Sequence, residues 1–443
     1  VPRTLKHPAR LVPLAFLVAI VAGTLLLMLP PARAGAGSAP FLVALFTATS
    51  AICVTGLTVV DTATYWSGFG QAIILALFQL GGFGIMSGAT LLGLLVSRRL
   101  RLSTRLLAQA ETRGLALGDL TDVLKLVLAV TATVQAILAA WLILRLRLGH
   151  GEAWPDAIWH GAFLAVSAFN NAGLSTYPGG AQTFAPDALM LLPLMLGVVL
   201  GGIGMPVLHD LRRELRRPER WSLHTKITLL GTAILLPLGT VATLAFEWTN
   251  PGTLAPLDPA ARALHAAFHS VMARSGGFNT LDIAAMQDKT IVVTYALMLI
   301  GGGSAGTAGG IKVGTAVLVA LIVWAEIRAE RDAAAYGRRI STDVQRQAVA
   351  VALMAVAMVA LATLLILAIS DLRLRDAVFE VISAFATVGL STGVTPDLPP
   401  AAQFAIAVLM FIGRVGPVTF ATALALRGRT APFRYPEERP IVG

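Results

Sequence analysis

The sequence predicts an all-α integral membrane protein, with eight transmembrane helices in four pseudo-symmetric helix, re-entrant loop, helix repeats. Three observations predict it. Apolar residues fill 56% of the 443 positions and charged residues only 13%. Soluble globular chains average about 45–50% and about 25%. Eight segments approach or exceed the ~20 apolar residues that a bilayer crossing needs. One glycine-marked pattern then recurs four times along the chain.

The eight spans are expected near 11–30, 68–97, 121–147, 186–208, 223–247, 290–325, 346–370 and 401–426. The run at 11–29 is long enough to span, and we read it as a retained first helix rather than a signal peptide. Basic residues concentrate in alternate connections. Arg98, Arg99, Arg101, Arg105 and Arg113 lie in one, and Arg212, Arg213, Arg216, Arg217, Arg220 and Lys226 in the next. Arg328, Arg331, Arg338, Arg339 and Arg346 lie in a third. Arg3, Lys6 and Arg10 mark one tail and Arg427, Arg429 and Arg434 the other. The positive-inside rule puts these loops and both termini in the cytoplasm, which an even number of spans permits. The same distribution accounts for the net charge of +10 without nucleic acid. Cys53 is the only cysteine, which excludes an intrachain disulfide and a cysteine zinc site.

Each outward connection holds a second apolar stretch too short to span, near 40–53, 155–170, 259–273 and 373–386. Stretches of this length suit re-entrant helices. Each leads into a glycine turn: Cys53-Val54-Thr55-Gly56-Leu57, Asn170-Asn171-Ala172-Gly173-Leu174, Arg274-Ser275-Gly276-Gly277-Phe278 and Ala386-Thr387-Val388-Gly389-Leu390. A second glycine mark follows each: Gly81-Gly82-Phe83-Gly84, Gly201-Gly202-Ile203-Gly204, Gly301-Gly302-Gly303 and Gly413-Arg414-Val415-Gly416. Internal similarity of this kind is an architectural signal. It divides the chain into repeats at 1–113, 114–220, 221–340 and 341–443, the last with a cytoplasmic tail.

Four glycine turns at the ends of four re-entrant helices suit one kind of chemistry. A cation that sheds water needs oxygens in its place, and rings of backbone carbonyls supply them. Glycine permits the backbone shapes that aim several carbonyls at one axis. Non-helical backbone is tolerated at membrane depth where it is buried or lines a water-filled path. The short helices would point their partly negative C-terminal ends at the cation. The expected filter residues are Val54, Thr55, Gly56 and Leu57; Asn171, Ala172, Gly173 and Leu174; Ser275, Gly276, Gly277 and Phe278; and Thr387, Val388, Gly389 and Leu390.

The stretches Thr49-Ser50-Ala51-Ile52-Cys53-Val54-Thr55-Gly56-Leu57, Ser167-Ala168-Phe169-Asn170-Asn171-Ala172-Gly173 and Gly413-Arg414-Val415-Gly416-Pro417 resemble the Trk/Ktr/HKT cation transporter superfamily. Eight spans and the ending Tyr435-Pro436-Glu437-Glu438 look most like its Ktr pore-subunit (KtrB-type) branch. The resemblance implies a potassium pathway through four pore loops of one chain, in a homodimer. It also implies sodium stimulation and a cytosolic RCK-type nucleotide-binding regulatory ring. The family's filter glycines fall on Gly56, Gly173, Gly277 and Gly389. Glycine at the first position, where sodium-favouring relatives often carry serine, implies potassium as the substrate. No covalent cofactor is implied. The expected location is a bacterial inner membrane.

The sixth span carries a break. Its 36 residues would run about 54 Å as one helix, and its middle is Gly301-Gly302-Gly303-Ser304-Ala305-Gly306-Thr307-Ala308-Gly309-Gly310. Each interior glycine costs a helix about 1 kcal/mol relative to alanine. A loop unwound at mid-membrane below the filter is a candidate gate, and the family has an intramembrane loop here. Arg414 lies within an apolar span, where a charge reads as functional by default. The resemblance implies that it sits near the loop and repels cations in the closed state. Lys312 either adds to that barrier or marks the cytoplasmic end of the helix.

Other signals carry less. Gly301 to Gly306 fits G-x-G-x-x-G, but no βαβ unit surrounds it. His265 and His269 share a helix face without the glutamate of H-E-x-x-H. Arg274 has Glu380 or Asp376 as candidate partners, or carbonyls behind the filter. Gly84 and Gly88 permit close helix packing. A sodium or non-selective monovalent cation pathway of the same architecture is the nearest alternative. A substrate-coupled transporter would show inverted halves, whereas these repeats share one orientation. An enzyme would need a nucleophile–base pair or metal ligands, which the sequence does not offer.

Overall fold

The computed structural model describes residues 8–99, 120–330 and 332–426. The basic positions 3, 6, 101, 105, 113, 331, 427, 429 and 434 and the motif at 435–438 lie outside the described residues. We number helices of ten residues or more. They are α1 (Pro8–Leu27), α2 (Phe41–Ile52), α3 (Gly68–Arg99), α4 (Leu120–Gly149), α5 (Trp154–Asn170), α6 (Ala188–Ile203) and α7 (Met205–Glu214). Then come α8 (Leu223–Glu247), α9 (Pro259–Met272), α10 (Asp288–Leu299), α11 (Val313–Ile327), α12 (Thr342–Ile369), α13 (Leu374–Phe385) and α14 (Pro400–Leu426). A two-residue hairpin, β1 (Ala334–Ala335) with β2 (Arg338–Arg339), is antiparallel and joins α11 to α12.

The order long helix, short helix, irregular turn, helix occurs four times. The short helices α2, α5, α9 and α13 fall on the four stretches too short to span. Proline and acidic residues start several of them. Pro155 and Pro259 sit in first turns, where a missing N–H costs nothing, and Asp258 accepts from the N–H groups of Ala260 and Ala261.

Among the described residues, α3, α4, α8 and α12 are each long and apolar enough to cross a bilayer, and the bent pair α6–α7 is long and apolar enough when taken together. Val12–Leu27, Val313–Ile327 and Pro400–Gly416 are shorter apolar helices. Large apolar side chains face outward from the long helices, among them Ile137 (63% exposed), Leu353 (65%) and Leu361 (66%). Such a surface would associate in water and is ordinary against lipid.

The short helices lie inside, and each helps to bind its unit to the unit before it. Phe163 of α5 packs in the same cluster as Phe46 of α2 and Phe78 of α3. Phe268 of α9 joins Leu164 and Leu194 of α5 and α6. Phe379 of α13 joins Ala266 of α9 and Met298 of α10. Met410 of α14 closes the circle by packing in the cluster of α1, α2 and α3. All four aromatic side chains named for these contacts from α2, α5, α9 and α13 are fully buried.

Two expected spans are interrupted. The stretch 186–208 is not one straight crossing: α6 and α7 meet at 98°. Gly204 between them has φ +99°, and Pro206 lies in the first turn of the new helix. The sixth span stops at Leu299 and resumes at Val313. Residues 300–312 between them are irregular.

At the start of α6, Asp187 caps the helix through the N–H of Leu189 at 3.0 Å. Its Oδ2 also accepts from Arg145 Nε and faces His150 Nε2, both at 2.8 Å, tying α4 to α6. Burial alone would raise the carboxyl pKa, but the hydrogen bonds from Arg145, His150 and Leu189 outweigh it and hold the pKa below its ordinary value.

Candidate functional site

The four turns begin where the short helices end, and they share a backbone shape. The glycines Gly56, Gly173, Gly277 and Gly389 have φ of 94°, 66°, 75° and 92°. Two residues earlier, Val54, Asn171, Ser275 and Thr387 also have positive φ, at 54°, 62°, 78° and 47°. The residues between, Thr55, Ala172, Gly276 and Val388, do not. Left-handed φ is unusual for residues with side chains and rarest for a β-branched one such as Val54. Strain of this kind persists only where surroundings over-determine it.

In three turns the same serine supports the shape. Ser50 Oγ accepts from Gly56 N at 3.1 Å, and Ser383 Oγ from Gly389 N at 3.2 Å. Ser167 Oγ accepts from Leu174 N at 3.1 Å and donates to Leu174 O at 2.8 Å. The third turn is built differently. Ser270 lies one residue further from its glycine, and its hydroxyl donates instead to Leu236 O at 2.8 Å.

The turns converge in a closed ring. A methyl group placed on Gly173 would stand 2.6 Å from Gly277 Cα, and one on Gly389 would stand 3.1 Å from both Gly277 Cα and Gly56 Cα. Each glycine also faces the carbonyl oxygen of the residue before the glycine in the next turn. Gly277 faces Val388 O at 2.8 Å and Gly173 faces Gly276 O at 3.1 Å, measured from the same added methyl. Gly56 faces Ala172 O and Gly389 faces Thr55 O more closely still. The order one to two, two to three, three to four, four to one gathers four carbonyls about one axis. No side chain larger than hydrogen fits at the four glycines without moving backbone.

The 300–312 loop lies against this ring. A short parallel bridge between Ile300 and Ile311 closes its neck, with Gly301 N on Ile311 O and Ile311 N on Leu299 O, both at 2.9 Å. Its body rests on the bend of α6. Gly303 N donates to Gly202 O at 2.8 Å, Thr307 N to Gly201 O at 3.0 Å, and Met205 N returns a bond to Ala305 O at 3.3 Å. Thr307 Oγ1 lies 3.0 Å from Asn171 Oδ1 and 3.2 Å from Phe169 O. Of the ten residues 301–310, only Ser304 and Ala305 are partly exposed; the others are buried.

Three cations hold carbonyls of this one loop. Arg414 Nη1 donates to Thr307 O at 2.6 Å, Arg274 Nη2 to Gly301 O at 2.8 Å, and Lys312 Nζ to Ala308 O at 2.5 Å. Both arginines are buried, at 4% and 6% exposure. Among the described residues none of the three meets a carboxylate, and Arg414 Nε and Nη2 and Arg274 Nε have no hydrogen-bond partner. The site is a ring of acceptors with a patch of uncompensated positive charge next to it.

Arg274 therefore does not pair with Glu380 or Asp376. Glu380 instead accepts from Ser391 Oγ and Thr395 Oγ1, both at 2.6 Å, and from Thr392 N at 3.0 Å, bracing the chain beyond the fourth turn. Lys312 stands at the N-terminus of α11, on the loop side and not at the helix's far end. His265 Nδ1 lies 2.8 Å from Thr280 Oγ1, and His269 Nε2 lies 2.9 Å from Thr294 Oγ1, each joining α9 to a neighbouring segment. The expected single span at 186–208 misses the bend at Gly204, for which Gly204-Met205-Pro206 is the sequence cue; nothing flanking Ser275 marks the role of its hydroxyl.

The TrkH family profile, described as a cation transport protein, matches residues 1–429. The chain belongs to the TrkH cation transport family. This TrkH-family chain is 36% identical over 436 residues to the Ktr system potassium uptake protein B of Bacillus subtilis, covering 98% of this chain and 97% of that protein. It is 33% identical over 435 residues to the protein of the same name from Vibrio alginolyticus, covering 98% and 94%. The crystal structure of the potassium transporter TrkH from Vibrio parahaemolyticus superposes with a TM-score of 0.74 at 18% identity, over 96% of this chain and 86% of that one. At that identity the likeness is one of fold.

Proposed function

We propose that this chain is the potassium-translocating subunit of a bacterial potassium uptake system, with the glycine ring as selectivity filter and the 300–312 loop as gate. The observation that carries it is the cyclic placement of Gly56, Gly173, Gly277 and Gly389 against four neighbouring carbonyls. Carbonyl rings replace the hydration shell of a cation. The four short helices add their C-terminal partial charges at the same place.

Eight crossings would be α1, α3, α4, α6–α7, α8, α10–α11, α12 and α14, divided into repeats at 1–113, 114–220, 221–340 and 341–443. Both termini would lie in the cytoplasm and the chain in the inner membrane. In the closed state the loop obstructs the path below the filter, and Arg414 and Lys312 raise the electrostatic barrier there. A homodimer, a cytosolic RCK-type nucleotide-binding ring and stimulation by sodium complete the proposal; they rest on the family resemblance.

Uptake of potassium, rubidium and sodium tests it, in a host lacking its own potassium uptake, with and without a co-expressed regulatory subunit. Saturable potassium and rubidium uptake that excess sodium does not compete away is expected. Uptake in which sodium competes equally would replace this proposal with a non-selective monovalent cation pathway.

A further inference from the structure

Ser275 holds a filter carbonyl and the loop with one atom. Its Oγ donates to Thr387 O, 2.8 Å away in the fourth turn, and accepts from Gly309 N, 2.9 Å away near the end of the loop. The residue is fully buried. Its φ of 78° is uncommon for a residue with a side chain. The adjacent residue, Arg274, grips the start of the same loop through Gly301 O at 2.8 Å. Two consecutive residues of the third turn thus hold both ends of the loop.

The equivalent positions in the other turns do less. Val54 has no polar side-chain atom. Asn171 Oδ1 receives the loop's Thr307 hydroxyl. Among the described residues Thr387 Oγ1 has no hydrogen-bond partner, although it lies against Gly309. Only at Ser275 does one side-chain atom bond both the loop and a backbone carbonyl of another turn. The third turn also lacks the serine support seen in the other three, so its shape depends more on this link.

We propose that Ser275 is a positioning residue that couples the loop to the filter, so that the filter's grip on a cation depends on whether the loop is seated. With the loop in place, Gly309 N fixes the Ser275 hydroxyl, which fixes the Thr387 carbonyl. When the loop moves away, the hydroxyl is released to rotate and the fourth turn relaxes. The inference rests on the filter-and-gate assignment above.

The test compares potassium uptake in four chains: the parent, a deletion of residues 302–309, Ser275→Gly, and the two combined. Glycine removes the hydroxyl and tolerates φ 78° without strain. In the parent background the deletion raises the maximal rate and also shifts the half-saturating potassium concentration. The shift is roughly two- to tenfold, the span of one hydrogen bond's net worth. In the Ser275→Gly background the deletion still raises the maximal rate but leaves half-saturation in place. Ser275→Thr keeps the hydroxyl, at a position whose counterpart Thr387 is already threonine at φ 47°, and preserves the shift. Thr307→Val releases the loop without shortening it. It gives the same pattern at smaller size should the deletion fail to fold.

An equal shift with and without the hydroxyl overturns the coupling. So does a rise in maximal rate with no shift in the parent; in both cases the gate stands. A maximal rate that loop release leaves unchanged in every background overturns the gate itself, and the coupling with it.

Discussion

Gly56 faces the carbonyl oxygen of Ala172, and a methyl group built on the glycine would run into that oxygen while standing 3.4 Å from Gly173 Cα. The contact joins the first turn to the second, and its counterpart between Gly389 and Thr55 O joins the fourth to the first. Gly56→Ser therefore acts on a neighbouring turn as well as on its own. The serine would also have to hold φ 94°, and such strain costs about 1–3 kcal/mol. We expect potassium-over-sodium preference to fall by roughly tenfold, equivalent to about 1.4 kcal/mol. Competitive uptake by a variant with parental expression measures it; unchanged preference would count against the filter assignment.

Deleting residues 302–309 should raise maximal uptake and weaken its dependence on a cytosolic partner. The neck makes the experiment feasible. A methyl on Gly301 would stand only 3.5 Å from Gly310 Cα, so the two ends can be joined with little movement of α10 or α11. The deletion removes Thr307 and Ala308, the acceptors for Arg414 and Lys312. If the shortened chain folds and conducts no faster than the parent, the loop is structural.

The short helices and their turns are legible in the sequence because two independent constraints coincide there. Phe41–Ile52 is apolar but too short to span, and a turn holding Gly56 follows four residues after its end. The same logic breaks the sixth span at 300–312. The bend at Gly204 is less visible because the apolar character of α6 runs into Met205 and Val207, so hydropathy continues where the backbone turns. Partners of long side chains are hidden for another reason. Arg274 has carboxylates on the neighbouring α13, yet Glu380 is already satisfied by two hydroxyls and an N–H. The arginine's reach goes to Gly301 O instead, a choice that only three-dimensional packing makes.

Asp187 offers a pH test outside the pathway. Its pKa lies below the usual value of 3.8 in the folded chain. The stabilisation it gives is therefore complete above about pH 4 and is lost as pH falls through the lower folded-state value. Asp187→Asn should lower the melting temperature of the purified protein at pH 7 by roughly 1–3 °C, as expected for loss of a partly exposed ion pair. The gap between variant and parent should narrow when both are measured below pH 4. Asparagine still caps a helix, so the variant removes the ion pair and keeps the cap; a gap that stays constant with pH would show that the carboxylate charge contributes nothing.

Arg414 combines a charge and a tether, and the two can be separated. At an effective dielectric near 20, a fixed positive charge about 4 Å from a cation opposes it by about 4 kcal/mol, and each 1.4 kcal/mol of barrier is about tenfold in rate. Arg414 also donates to Thr307 O at 2.6 Å, so its loss would loosen the loop as well. Arg414→Ala should raise the maximal uptake rate and change apparent potassium affinity less, because none of the four ring carbonyls is touched. Arg414→Lys keeps the charge and should stay near the parental rate unless the planar guanidinium is needed to reach the loop. Placing Arg414→Ala in the chain lacking residues 302–309 distinguishes the two roles. A further rise in rate there means the charge acts directly on the cation, since no tether remains to be broken. No further rise means that Arg414 works by holding the loop. An alanine variant slower than the parent, at normal expression and folding, would reject both roles and leave Arg414 as a support for α14.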